Sequence, residues 1–212
     1  MKFCKEMLLL YAVTDRAWTD KKNLYEQIEE ALKGGVTIVQ LREKTLDNDS
    51  FIEEAIAIKE LCHRHNVPLI INDNLDVALK SGADGIHVGQ EDMKVSEIRN
   101  IAGKDFIIGA TAKTVFQAKT AELEGADYIG VGAVFSSPTK TNAIRISLDD
   151  LKDICGSVSI PAVAIGGINK NNMKEIAGGG MAGVALVSAI FGADNIEEEC
   201  KELKKLSQSL LD

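Results

Sequence analysis

The sequence predicts an α/β fold, a single (β/α)8 TIM barrel over residues 1–212. Three observations point there. Eight short apolar runs recur along the chain with helical patterns between them. The runs are rich in Val and Ile and often continuous rather than alternating, as strands covered by helices should be. One helix-to-strand junction is repeated, and the whole count fits a compact barrel of about 210 residues. No GxGxxG opens a helix after the first run, which counts against an open doubly wound sheet.

The strands are predicted at LLLYAVTD (8–15), IVQLR (38–42), PLIIND (68–73), GIHVG (85–89), FIIGAT (106–111), YIGVGAVF (128–135), PAVAIGG (161–167) and GVALVSAI (183–190). Between the first two, Leu24, Ile28, Ala31 and Leu32 make one apolar stripe over 23–33. Over 50–65, Phe51, Ala55, Ile58 and Cys62 repeat at three- and four-residue steps. Shorter helical pieces are expected at 74–81 and 95–102. A further helix opens at Thr114, with Gln117 three residues on in capping-box spacing, and ends at Glu124-Gly125. Pieces at 148–155 and 171–177 are short, and 195–211 closes the chain with helical spacing. The repeated junction is Gly82-Ala83-Asp84-Gly85-Ile86-His87-Val88-Gly89, matched by Gly125-Ala126-Asp127-Tyr128-Ile129-Gly130-Val131-Gly132 and more weakly by the stretch from Gly180 to Leu186. In each copy a glycine can end a helix in the left-handed conformation before an apolar strand starts.

A chain 45% hydrophobic and 26% charged suits a soluble globule with a large core. A net charge of -8, with no basic run, excludes a nucleic-acid footprint. Cys4, Cys62, Cys155 and Cys200 lie far apart, without CxxC or zinc-ligand spacing, and read as reduced thiols. MLLLYAV lacks a cleavage site, and no apolar run approaches the roughly 20 residues of a membrane helix. A cytoplasmic protein with no membrane partner is expected. The outer helices suit water or an interface between copies alike, which leaves a homo-oligomer open.

In a barrel of this kind, reactive groups belong at the C-terminal ends of the strands. Strand periodicity in IVQLREK puts Val39, Leu41 and Glu43 on one face and Gln40, Arg42 and Lys44 on the other, and two cations beside an amide make poor core. Asn72 and Asp73 end the third run; Gln90, Glu91 and Asp92 follow the fourth; Thr111 ends the fifth. Ser137, Thr139 and Lys140 follow the sixth, Gly166-Gly167 closes the seventh, and Val187-Ser188 sits late in the eighth. A lone strand-end Asp commonly caps a turn. Carboxylates at adjacent strand ends can share one small cation, and without a nearby His or Cys that cation is Mg²⁺, with Glu91 and Asp92 alternatives as ligand. Arg42, Lys44, Lys113 and Lys140 on one rim suggest an anion site, and glycines after the seventh strand let backbone N–H groups approach a phosphate. His63 and His65 read as surface residues, and His87 as a hydrogen-bonded core residue. The polar segment 136–146, carrying Lys140, is a candidate lid.

QLREK, IINDN, GIHVGQED, GATAKT, SPTK, AIGGI and VSAI occur in the order and spacing of thiamine-phosphate synthase, and the chain resembles that family over 11–191. The resemblance implies a (β/α)8 barrel enzyme of thiamine biosynthesis, a transferase. It would join a hydroxymethylpyrimidine pyrophosphate to a thiazole phosphate, giving thiamine phosphate and pyrophosphate. Carried over by position, Gln40, Arg42, Lys44 and Asn72 bind the pyrimidine pyrophosphate, Asp73 and Asp92 hold Mg²⁺, and Thr111 and Lys140 face the same substrate. Arg42, Lys44, Thr111 and Lys140 would be the catalytic set. Ser137, Thr139, Gly167, Val187 and Ser188 would receive the thiazole phosphate. The family usually has Ser at the place of Thr111 and Thr at that of Ser137; both departures keep a hydroxyl. A related thiazole tautomerase on the same barrel does not require the set Asn72, Asp73 and Asp92, so their presence favours the transferase. A non-catalytic phosphate sensor would not need two anion sites and a metal site.

Overall fold

Parallel strands need a crossover between each pair, and here the eight strands so joined close into a ring. The computed structural model describes residues 1–20, 22–136 and 144–211. The strands are β1 Leu10–Val13, β2 Ile38–Leu41, β3 Leu69–Asn72, β4 Gly85–Val88, β5 Ile107–Ala112, β6 Tyr128–Val131, β7 Ala162–Ile165 and β8 Gly183–Leu186. Each pairs in parallel with its neighbours, and β8 closes on β1 through Tyr11 opposite Ala185. The chain is a (β/α)8 TIM barrel.

The helices are α1 Leu24–Lys33, α2 Asn48–Arg64, α3 Leu75–Lys80, α4 Val95–Ala102, α5 Val115–Glu124, α6 Leu148–Gly156, α7 Ser188–Phe191 and α8 Ile196–Gln208. All but α4 and α7 start at a side chain that satisfies a free backbone N–H group. Asn23 and Glu26 form a reciprocal capping box on α1, as do Ser147 and Asp150 on α6. At α5 the expected box is half made. Thr114 accepts from the Gln117 N–H, but the Gln117 side chain turns to the Lys113 N–H instead. The 171–177 piece contains only a 3-10 turn, Met173–Ile176, so no α-helix joins β7 to β8. The repeated junctions do carry glycine at positive φ, 65° at Gly82, 97° at Gly125 and 79° at Gly180.

Strand alternation divides the core in two. Leu10, Ala12, Val39 and Leu41 face outward and pack beneath the helices with Leu24, Ile28, Phe51 and Ile58. Tyr11, Val13, Ile38, Ile70, Ile107, Tyr128, Val163 and Ala185 fill the barrel lumen, with Leu8 from the first turn of the chain beside them. The paired strands are shorter than the apolar runs, because beyond the fourth to sixth residue the chain leaves the sheet to form the rim.

Candidate active site

At the C-terminal ends of the strands the rim encloses a cavity of about 410 Å³, within the usual range for a small-molecule site. Gln40 reaches it from β2, with Arg42 and Lys44 just beyond that strand. Asn72 ends β3 and Asp73 follows; Asp92 enters from the loop after β4; Thr111 and Lys113 come from β5 and its end. Gly166 and Gly167 after β7, and Val187 and Ser188 after β8, complete the opposite wall. These eleven sequence candidates line one space together with Lys113. Asp92 lines it, whereas Glu91 points to solvent. Ser137, Thr139, Lys140 and most of the segment 136–146 lie outside the described residues.

The cationic corner is braced from both sides. Thr14, fully buried after β1, accepts the Arg42 N–H at 2.9 Å, and Asp15 accepts from Arg42 Nη1 at 2.8 Å. The alternation that sends Gln40, Arg42 and Lys44 into the cavity sends Glu43 the other way, under the loop. Its Oε1 accepts from the N–H groups of Lys44 at 2.6 Å and Thr45 at 2.7 Å and from the Thr45 hydroxyl at 2.9 Å. Its Oε2 pairs with Arg16, which is held in turn by Glu54. Burial alone would raise the Glu43 carboxyl, but the Thr45 N–H and then Arg16 outweigh it and hold it down to about 2.

Asp73 and Asp92 face one another across the gap between β3 and β4. Asp73 sits at φ 60°, a left-handed conformation that Asp tolerates better than most residues. It is fixed by donation from its N–H to the His87 carbonyl at 2.9 Å. Its carboxylate accepts from Asn72 Nδ2 at 2.7 Å and Lys44 Nζ at 3.2 Å, while Asp92 accepts the Gly89 N–H at 2.7 Å. Burial, and then the charge of Asp92, raise the Asp73 carboxyl above its ordinary value. Two carboxylates that repel across a small gap are stabilised by a cation between them. Among the described residues no group of three His, Cys, Asp or Glu gathers as a metal cage. The donors present, two carboxylates and no nitrogen or sulfur, suit Mg²⁺ completed by ligand oxygens and water.

The sequence assigns Tyr11 and Tyr128 no role; His87 is the hydrogen-bonded core residue expected, with partners on both ring nitrogens. Tyr11 and His87 line the cavity floor, and Tyr128 bonds to both beneath it. Burial lowers the His87 imidazole to about 4, against an opposing pull from the Asp92 charge. A signal for this cluster was present: Gly109 and Gly130 fall on inward positions of adjacent strands, where side chains of ordinary size would fill the lumen and displace the rings.

Comparison with known proteins gives sequence and fold relatives over nearly the whole chain. The family model described as thiamine monophosphate synthase matches residues 10–190. Thiamine-phosphate synthase of Clostridium botulinum is 45% identical over 196 residues, 92% of each chain. That of Ruminiclostridium cellulolyticum is 47% identical over 93% of this chain and 94% of its own. The solved structure of thiamine phosphate pyrophosphorylase from Pyrococcus furiosus superimposes with a TM-score of 0.90 at 38% identity, covering 98% of this chain and 99% of that one. No helix among the described residues is long and apolar enough to cross a membrane. With a family model over residues 10–190 and relatives 45–47% identical over more than nine-tenths of its length, the chain belongs to the thiamine-phosphate synthase family.

Proposed function

We propose that this enzyme joins 4-amino-2-methyl-5-(diphosphooxymethyl)pyrimidine to 4-methyl-5-(2-phosphooxyethyl)thiazole, releasing pyrophosphate and forming thiamine phosphate. The observation that carries this reading is the meeting of Arg42, Lys44, Asn72, Asp73, Asp92 and Thr111 on one side of a single cavity, with Gly167 and Ser188 on the other. That is room for two anionic groups facing each other across a floor that includes Tyr11 and His87.

The reaction breaks a C–O bond to pyrophosphate and forms a C–N bond to the thiazole nitrogen. The electron-rich aminopyrimidine spreads the positive charge left on its methylene, and the thiazole nitrogen is already a neutral nucleophile. No side chain therefore has to remove a proton or form a covalent intermediate. The chain's task is to stabilise negative charge growing on the leaving group and to align two rings. Arg42 and Lys44 supply positive charge at the pyrophosphate, and the family resemblance adds Lys140. Gln40 and Asn72 orient the pyrimidine. Beyond β7 and β8, the Gly166-Gly167 turn and the start of α7 are suited to the thiazole phosphate, a position where barrels often hold phosphate. Asp73 and Asp92 would hold Mg²⁺, which when bound neutralises charge on the departing pyrophosphate.

The purified protein, supplied with both substrates, is expected to release pyrophosphate and thiamine phosphate in equal amounts only when Mg²⁺ is present. Omitting either substrate should abolish release. Product formation undiminished in excess chelator would remove the metal from this reading, and turnover of the thiazole alone would redirect it to an isomerase.

A further inference from the structure

Four hydrogen bonds run in series across the lumen beneath the cavity. Gln40 Nε2 donates to the Tyr11 hydroxyl at 2.8 Å, and the hydroxyls of Tyr11 and Tyr128 meet at 2.7 Å. The Tyr128 hydroxyl meets His87 Nδ1 at 3.1 Å, and His87 Nε2 meets Thr111 Oγ1 at 3.0 Å. Both ends of the series line the cavity. The strands make room for it: a Cβ at Gly109 would overlap both the Tyr128 phenol and the His87 ring, and one at Gly130 would lie 3.0 Å from His87 Cε1. Phe3 stacks on Tyr128 with centroids 5.7 Å apart, and Tyr11 packs edge-on to Tyr128 at 6.0 Å, so the phenols are held in place.

Proton counting gives this series a direction. Each phenol owns one proton, and a neutral imidazole owns one N–H. Because Gln40 donates to Tyr11, the Tyr11 proton goes to Tyr128 and the Tyr128 proton to His87 Nδ1. The imidazole proton then sits on Nε2 and is donated to Thr111. If Nδ1 carried a proton instead, in the other tautomer or in a charged ring, it would donate to Tyr128. One of the two phenol protons would then have no acceptor among the described residues, and a buried donor left unpaired is costly. Two polarities result at the cavity surface. Gln40 Oε1, which accepts nothing from the described residues, offers lone pairs. Thr111 Oγ1, having accepted from His87, keeps its own proton for a ligand.

We propose that Tyr11, Tyr128 and His87 are positioning residues that fix Gln40 as acceptor and Thr111 as donor, selecting a ligand with an amino group for the first and an anionic oxygen for the second. The choice of ligand rests on the pyrimidine pyrophosphate reading above. An aminopyrimidine pyrophosphate has both features. Its 4-oxo counterpart would bring a carbonyl against Gln40 Oε1. Turning the Gln40 amide to accommodate it would reverse every link and aim a Thr111 lone pair at the anion. Rejection at one end is thereby transmitted to the other.

The test is ¹⁵N NMR of histidine-labelled protein without ligand, joined to turnover of the 4-amino and 4-oxo pyrimidine pyrophosphates. In wild type, His87 should show an unprotonated Nδ1 and a protonated Nε2 at pH 7. Wild type should prefer the amino substrate by about 100-fold or more in kcat/KM. Tyr128→Phe, which keeps the ring and removes the link, should mix the two tautomers and lower that preference at least tenfold, mainly through KM. Tyr11→Phe serves if Tyr128→Phe does not fold. A wild-type Nδ1–H tautomer, a charged ring at pH 7, or an unchanged preference in a folded variant would overturn the proposal. If wild type turned over neither pyrimidine, the functional reading would fall, while the tautomer would still decide whether the series has this direction.

Discussion

Glu43 is one residue from two cations of the cavity and never touches it, yet the geometry of that corner depends on it. Its carboxylate gathers the Lys44 and Thr45 N–H groups, the Thr45 hydroxyl and Arg16 at one buried point. Because its pKa is held down to about 2, against an ordinary value of 4.5, its contribution is complete above about pH 4.5 and lost as pH falls through 2. A depression of that size corresponds to about 3 kcal/mol at pH 7. Glu43→Gln is therefore expected to lower stability by about that amount at pH 7, read from urea midpoints. The gap between variant and wild type should shrink steadily below pH 4.5 and nearly vanish by pH 2. A gap that stays constant with pH would assign the loss to packing rather than charge. Strand alternation in the sequence gives Glu43 its outward face, but nothing nearby announces its partner: Arg16 lies 27 positions earlier, brought in by closure of β1 onto β2.

At the scale of an element, the turn after β7 and the start of α1 make opposite predictions. Gly166 and Gly167 sit at φ 104° and 63°, and a Cβ at Gly167 would overlap the backbone of Phe135 and Ser136. Gly167→Ala meets both backbone strain and a clash, at a cost of order 1–3 kcal/mol for the strain alone. It should raise KM for the thiazole phosphate well above tenfold with a smaller change in KM for the pyrimidine pyrophosphate; equal effects on the two substrates would move the phosphate site elsewhere. Asn23→Ala removes the capping box of α1, far from the cavity. It should cost about 1 kcal/mol of stability and leave kcat/KM as in wild type. Elements were the most legible level of the sequence because their signals are local. Stripes, caps and the glycines at 82, 125 and 180 each lie within a few residues of what they determine. The 171–177 pattern misleads because its apolar spacing suits a single 3-10 turn as well as an α-helix, and Gly178 and Gly180, both at positive φ, turn the chain just beyond it.

For the molecule as a whole, ring closure turns eight local strand ends into one mouth, and this explains both the reach and the limit of the sequence. Strand order makes every C-terminal end converge, so Gln40, Asn72, Thr111 and Val187, far apart in the chain, could be assigned to one rim from position alone. The lumen series could not, since its links join residues as much as 117 positions apart and depend on which rings meet inside the barrel. The same convergence governs how a metal should act. Two carboxylates, Asp73 and Asp92, with a lysine already on one of them, are too few donors to hold Mg²⁺ tightly on their own. Pyrophosphate alone would meet Arg42 and Lys44 but also the two carboxylate charges. Each ligand supplies what the other lacks, so binding should be mutually dependent. Ligand at 100 times its Kd stabilises a protein by about 2.7 kcal/mol, worth roughly 5–10 °C in a domain of this size. Thermal unfolding should therefore move little with Mg²⁺ alone or pyrophosphate alone, and by about that interval with both. Asp92→Asn should lose most of the joint shift and retain the small shift from pyrophosphate. Equal shifts from pyrophosphate with and without Mg²⁺ would mean that the carboxylate pair serves the barrel rim and not the ion.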